Sequence, residues 1–298
     1  MGPRELLAQK PEEIGVFYLL AAAIAIPLGL DLYLPAPDSN PLTPEKIEQG
    51  RRLFFDRRLS RDGSISCSSC HDPDRAFSDT NAIAIGIGNR HGRRNSPALI
   101  NRGYGRLFFW DGRANSLEEQ VLKPIEDPNE MDLPLSSASE RLGLKVDEIS
   151  HALASFVRAI LSGNSAFDRF VDGDRSALSN DQQAGLKVFR GKGNCVACHV
   201  GPNFSDERLH NTGIAWRGGR LADLGAGGGN FKTPTLREIP RTSPYMHDGS
   251  LATLEDVIEY YDKGGNDNPQ LDTELQPLHL SAGEKRSLLE FLRALEGQ

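Results

Sequence analysis

The sequence predicts a mainly α-helical protein built as two similar halves in tandem, with long loops between the helices. Three observations lead to that class: a Cys-x-x-Cys-His pentapeptide that occurs twice, apolar helical patterns that recur at a constant shift, and the 30 Gly and 18 Pro that punctuate the rest. A length of 298 residues suits about two domains at roughly 150 residues each. With 38% hydrophobic and 25% charged residues, the composition is that of an ordinary globular protein. It excludes wholesale disorder, collagen-like repeats and a polytopic membrane protein. The 34 Lys+Arg against 41 Asp+Glu leave a net charge of −7 with no long basic run. That balance argues against a nucleic-acid binder and suits a basic protein partner.

The first element is an uncharged stretch from Ile14 to Leu30, closed by Asp31. It stands at the lower limit of a spanning helix, about 17–25 residues, and Pro27 and Gly29 weaken its last turns. Export is expected, either by a signal peptide cut near Ala23 or Ala25 or by an uncleaved N-terminal membrane anchor. The preceding segment mixes Arg4 and Lys10 with Glu5, Glu12 and Glu13, a poor positive n-region. A buried core helix is the alternative reading. Leu34-Pro35-Ala36-Pro37 then reads as a linker, so residues 1–41 are assigned to targeting segment plus linker.

The first half is placed at residues 42–165. Thr43 and Pro44 have the pattern of an N-cap and first helical position, opening a helix through Gly50, Leu53 and Phe54. After long loops, Ile149, Ala152, Leu153, Phe156, Val157 and Ile160 recur at helical spacing. The second half, residues 176–298, repeats the plan. A helix starts near Ser179 and runs through Gly185, Val188 and Phe189; the closing helix carries Leu288, Phe291, Leu292 and Leu295 behind the capping box Ser281-x-x-Glu284. The shift that carries Gly50 onto Gly185 also carries Phe156, Arg158 and Ala159 onto Phe291, Arg293 and Ala294.

All four cysteines lie in the pentapeptides Cys67-Ser68-Ser69-Cys70-His71 and Cys195-Val196-Ala197-Cys198-His199. The motif is that of covalent c-type haem attachment: two thioethers hold the porphyrin edge and the adjacent His reaches the iron. A structural zinc site is the alternative. It would need no His after each pair, and would need pairs as distant in sequence as Cys67 and Cys195 to converge on one ion. The halves are therefore expected to be cytochrome c-like domains with two covalently bound haem c. Small domains with such long loops use the haem as core, so the apoprotein is expected to be unstable.

Two haem-c halves joined in this way resemble the bacterial di-haem cytochrome c peroxidases, a family that includes MauG and the MbnH-type proteins, which oxidise tryptophan residues of partner proteins. The resemblance spans residues 42 to 297. It is carried by Trp110-Asp111-Gly112-Arg113-Ala114 with Gln120, by Asp127-Pro128-Asn129-Glu130-Met131, and by Pro244-Tyr245-Met246-His247-Asp248-Gly249. It implies a periplasmic peroxidase. His71 would ligate the first iron, while Glu130 moves the peroxide proton and Gln120 orients the peroxide on the opposite face. Some relatives block that face with a His; here Ile87 stands about there, and His91 is the nearest substitute. The first haem is therefore expected to be open at rest.

At the second haem the resemblance makes His199 the proximal ligand. Relatives usually supply Met fourteen residues after the His of His-Asp-Gly; counting from His247 lands on Tyr261, as in MauG and MbnH. Met raises a haem potential, whereas a phenolate gives charge to an electron-poor metal. The alternative makes Tyr261 a packed helix aromatic, with Tyr260 the near miss. Trp110 matches a Trp that relays electrons between the haems. Asn95, Thr242 and Pro244 match a calcium site, the first through its side chain and the others through backbone carbonyls. One departure is that Gly193-Asn194 stands where MauG has a Trp before its second pentapeptide, and Trp216 is left unplaced.

Three functions follow. The first is reduction of hydrogen peroxide to water with electrons from a small cytochrome or cupredoxin. The second is use of peroxide to oxidise residues of a protein substrate, which Tyr261 favours. The third is plain electron carriage, which would not need Gln120 and Glu130.

Overall fold

A computed structural model describes residues 24–297. The expected signal peptide or anchor lies outside the described residues up to position 23, and residues 24–30 form no helix. No helix among the described residues is long and apolar enough to cross a membrane.

The chain on either side of the stretch read as a linker, Leu34-Pro35-Ala36-Pro37, is docked on the body. The Leu28 carbonyl accepts from the Asn164 amide at 2.8 Å, and the Asp31 carbonyl accepts from the Tyr104 hydroxyl at 2.7 Å. Asn40 is fully buried and donates to Glu118 at 2.8 Å and to the His151 carbonyl at 3.1 Å. Within the Pro-rich stretch itself the Pro37 carbonyl accepts from the Asn40 amide at 2.9 Å, a local turn.

Helix α1 (Pro44–Phe54) starts where Thr43 caps it, the hydroxyl accepting from the Lys46 amide at 3.3 Å. Short helices α2 (Leu117–Gln120) and α3 (Lys123–Glu126) follow, then α4 (Leu135–Leu142) and α5 (Val146–Arg158). Helix α6 (Ala166–Asp172) joins the halves. The second set is α7 (Asn180–Arg190), capped by Ser179, α8 (Leu254–Asp262) and α9 (Ala282–Arg293), capped by the Ser281–Glu284 box. Among the described residues sheet is confined to two antiparallel pairs of two-residue strands: β1 (Leu209–His210) with β4 (Phe231–Lys232), and β2 (Trp216–Arg217) with β3 (Arg220–Leu221).

The repeat seen in sequence has a physical cause. A Cβ on Gly50 would overlap the Ala152 carbonyl oxygen, and one on Gly185 would overlap that of Ser287, the counterpart of Ala152 in the second half. Glycine at these positions is what lets α1 cross α5, and α7 cross α9, at backbone contact. Beside each crossing an aromatic pair packs alike. Phe54 meets Phe156 at 5.1 Å and 58°, and Phe189 meets Phe291 at 5.1 Å and 57°. Two apolar clusters result, one drawn from residues 47–160 and the other from 166–295.

Polar side chains join the clusters. Arg102 grips Glu207 at 2.8 Å with both side chains about nine-tenths buried. Arg94 bridges Asp111 at 2.6 Å and Asp223 at 2.8 Å.

Candidate active site

Each pentapeptide opens with a single 3-10 turn, Cys67–Ser69 and Cys195–Ala197, that brings its His amide back onto the first Cys carbonyl, at 3.0 Å for His71 and 2.8 Å for His199. The His71 Nδ1 lies 3.0 Å from the Phe77 carbonyl, and the His199 Nδ1 lies 2.8 Å from that of Phe204. A carbonyl can only accept, so each Nδ1 carries the hydrogen and each Nε2 keeps its lone pair for a metal. Burial holds both imidazoles below the usual histidine range, which favours the neutral, ligating form. Phe77 and Phe204 hold positive φ of 57° and 50°, the turn that aims each carbonyl back at the ring.

Both His residues and all four Cys residues line one continuous cavity of about 810 Å³ that runs between the two apolar clusters. The cysteines form no disulfide. Burial pushes Cys67 and Cys195 up to about 12 and Cys70 up to about 11, so these are neutral thiols with no cation beside them. The zinc alternative fails here. Among the described residues the one cluster of metal-type donors is Cys198, Asp206 and His210, and the two Cys pairs do not converge. Paired thiols, an adjacent His with a free Nε2 and an apolar cavity at each end fit two covalently attached porphyrins.

On the His71 side, Gln120 at the end of α2 and Glu130 after α3 line the same cavity. Glu130 sits in a tight turn, its amide on the Asp127 carbonyl at 3.0 Å. Burial, reinforced by Asp127 and opposed by Arg113, pushes its carboxyl up to about 7. Its carbonyl accepts from the Ile87 amide at 2.8 Å, a close approach that Gly86 permits: a Cβ there would stand 2.7 Å from the Glu130 Cα. Ile87 is buried behind this contact and His91 is exposed; neither lines the cavity.

The two tyrosines at the other end separate cleanly. Tyr260 is buried, donates to the Thr212 carbonyl at 2.7 Å and accepts from the Asn266 amide at 3.2 Å. Tyr261 lines the cavity beside Cys195 and Cys198, and burial pushes its phenol well above the usual tyrosine range. No hydrogen bond occupies the Tyr261 hydroxyl among the described residues. The near miss is the packed aromatic, and Tyr261 faces the site.

Between the two ends, the Trp110 indole donates to the Asn95 carbonyl at 2.9 Å, and the Trp110 carbonyl accepts from the Lys232 amide at 2.7 Å. Asn95 also takes the His247 carbonyl at 2.7 Å through its amide and gives its Nδ2 to the Asn81 carbonyl at 2.9 Å. Asn95, Thr242 and Pro244 share the cavity wall. Among the described residues no donor occupies the Asn95 Oδ1 or the Thr242 and Pro244 carbonyls, an all-oxygen set of the kind a hard cation takes. Trp216 is half-buried in β2 and does not line the cavity.

Sequence reasoning missed Lys232. It is buried in the cavity wall, near Glu207 at 3.7 Å, and burial together with Arg102 lowers its ammonium to about 7. Glu207 thus stands between Arg102 at 2.8 Å and Lys232 at 3.7 Å. No motif marks Lys232, because its place in the wall follows from burial.

A helical chain with two such attachment sites around one cavity, one site carrying a buried carboxylate, is a c-type cytochrome of the peroxidase class. Comparison with known proteins agrees. The family described as di-haem cytochrome c peroxidase matches residues 44–146. The methylamine utilization protein MauG of Methylorubrum extorquens is 39% identical over 293 residues, covering 89% of this chain and 82% of that protein. The cytochrome c551 peroxidase of Nitrosomonas europaea is 35% identical over 247 residues, covering 73% and 74%. Among solved structures, a MauG-like protein associated with microbial copper homeostasis superposes with a TM-score of 0.81 at 30% identity, covering 90% of this chain and 95% of that one. The chain belongs to the di-haem cytochrome c peroxidase family. It is a peroxidase-type oxidoreductase with two haem c groups.

Proposed function

We propose that the protein reduces hydrogen peroxide to water beside His71, with electrons from a small cytochrome or cupredoxin. One observation carries the reading: Glu130 and Gln120 share the cavity wall with His71 while Ile87 and His91 stand outside it. Cys67 and Cys70 would hold the first haem and His71 ligate it; Cys195 and Cys198 would hold the second, between His199 and Tyr261. When bound, the haems supply an iron that takes peroxide and a path for two electrons. Each turnover consumes one peroxide, two electrons and two protons and yields two waters.

The chain's own residues manage the protons. The Glu130 carboxylate takes the proton of the nearer peroxide oxygen and returns it to the farther one, which leaves as water. Its elevated pKa suits both steps, since a carboxyl near 7 is a stronger base than an exposed one and still a ready acid. The Gln120 amide orients the peroxide. Trp110 relays electrons between the ends of the cavity.

Tyr261 favours a second reading, oxidation of tryptophan residues of a partner protein. Adding peroxide to the diferric holoprotein and following its near-infrared and Mössbauer spectra distinguishes the two. A long-lived oxidised protein supports the second, and rapid turnover only with reduced cytochrome supports the first. A resting ferric spectrum that is wholly six-coordinate and low-spin would count against an open first haem.

The two apolar clusters support cytochrome c-like domains at 42–165 and 176–298. Calcium at Asn95, Thr242 and Pro244 is supported by their free oxygens; elemental analysis before and after chelation tests it. We infer export to the periplasm; the docking of Leu28 and Asp31 favours cleavage near Ala23 or Ala25 over an uncleaved anchor reaching Leu30.

A further inference from the structure

Among the described residues Arg237 has the largest of the fully buried side chains. Its Nε and Nη2 donate to the Pro202 carbonyl at 2.9 and 2.7 Å, Nη2 also donates to the Gly29 carbonyl at 2.9 Å, and Nη1 pairs with Asp168. Asp168 is itself held by the Ser165 amide at 2.9 Å and hydroxyl at 2.8 Å. Pro202 lies just before Phe204 in the chain, and the Phe204 carbonyl takes the His199 Nδ1. The guanidinium also lies 5.4 Å from the centre of the Phe204 ring, and the Thr235 hydroxyl donates to the Asn203 carbonyl at 2.7 Å. The loop that aims His199 is thus gripped from one side by residues 235–237.

The duplicated half lacks this device. Asn101 and Glu238 are equivalent: each has φ 57°, each precedes a 3-10 turn, and each gives its amide to the end of a closing helix, at Ile160 (2.8 Å) and Leu295 (3.3 Å). The residue before Asn101 is Ile100, buried in the first apolar cluster; the residue before Glu238 is Arg237. A buried ion pair is rarely more stabilising than an apolar side chain of like size. Stability therefore does not account for arginine where the other half uses isoleucine.

We propose that Arg237 is a positioning residue for the second haem. It fixes the His199 ring through Pro202 and Phe204, and it is itself completed by the Gly29 carbonyl of the N-terminal segment. This rests on His199 being a haem ligand. A rigid ligand suits a centre that passes electrons, because little structure then has to reorganise on each transfer. Residues 27–30 become part of the second haem's support although they stand at the opposite end of the chain from the second half.

The test uses the full-length holoprotein. Arg237→Ile copies the first half. It is expected to retain two haems by pyridine haemochrome assay and to leave the first haem's EPR signal in place. The second haem's EPR g-values should shift and broaden, and its reduction potential should move. Gly29→Ala should give the same signature more weakly, because a Cβ there would overlap the Asp168 carboxylate at a φ of +88°. If Arg237→Ile fails to fold, Asp168→Asn with Gly29→Ala carries the test. Native second-haem spectra and potential in folded variants would overturn the proposal, leaving Arg237 merely structural. His199→Gly checks the underlying reading separately: an unchanged second-haem signal there would mean that His199 is no ligand at all.

Discussion

The Trp110 indole donates to the Asn95 carbonyl at 2.9 Å. The same tryptophan's carbonyl accepts from the Lys232 amide at 2.7 Å. The tryptophan on the cavity wall is thus held through its indole by the backbone of a candidate cation ligand and through its own carbonyl by the backbone of the buried lysine of the second half. The position and orientation of Trp110 are set together with the join between the halves.

Trp110→Phe keeps an aromatic ring but removes the indole donor. It should cost about 1 kcal/mol, the usual net worth of a hydrogen bond. Electron equilibration between the haems should slow, while peroxide binding stays intact. Thermal unfolding and flash-initiated electron transfer measure the two effects; equilibration at the native rate would remove Trp110 from the relay.

Glu130→Gln should slow peroxide cleavage by about 10²–10⁴-fold, the range of an acid–base contribution. The carboxyl is raised to about 7, and its base form exists above that pH. In the native protein the rate should fall as pH drops through about 7, and Glu130→Gln should flatten that limb. Stopped-flow mixing on both sides of neutral pH reads both, and a variant with native rate and profile would exclude the role.

The adjacent tyrosines should respond in opposite ways. Tyr261→Met exchanges a phenol oxygen for a thioether and should raise the second haem's potential. Tyr260→Phe strips the Thr212 carbonyl of its donor and should cost about 1–3 kcal/mol as a buried group left unpaired. It should not move that potential. Potentiometric titration and denaturant unfolding of each variant decide the assignment; reversed phenotypes would exchange the roles.

Gly50→Ala and Gly185→Ala should each destabilise by about 1–3 kcal/mol, the usual cost of overpacking. A Cβ would collide with backbone at both crossings. Equal losses in calorimetry are expected because the crossings are duplicates, and a neutral result at either would show that its helix pair can separate without penalty.

Much of the plan was legible because it is local or covalent. Haem attachment shows in five consecutive residues, and helix starts show in caps such as Thr43, Ser179 and Ser281. Position 261, counted from His247, is the cavity-facing tyrosine of its pair. What composition around the Pro-rich stretch at 34–37 does not report is that Asp31 and Asn40 on either side of it are bonded to the body.

By itself, the order of residues determined two attachment motifs and two sets of helices that recur at one shift, because bonds and helical period act over short spans. Tertiary structure decided the rest. The Glu130 carboxyl is raised to about 7 only where burial and Asp127 surround it, and Lys232 loses much of its preference for charge only inside the wall. Arg237 grips Pro202 only because chain from positions 29, 168 and 202 meets there. Desolvation and convergence are properties of the packed solid, and no window of sequence contains them.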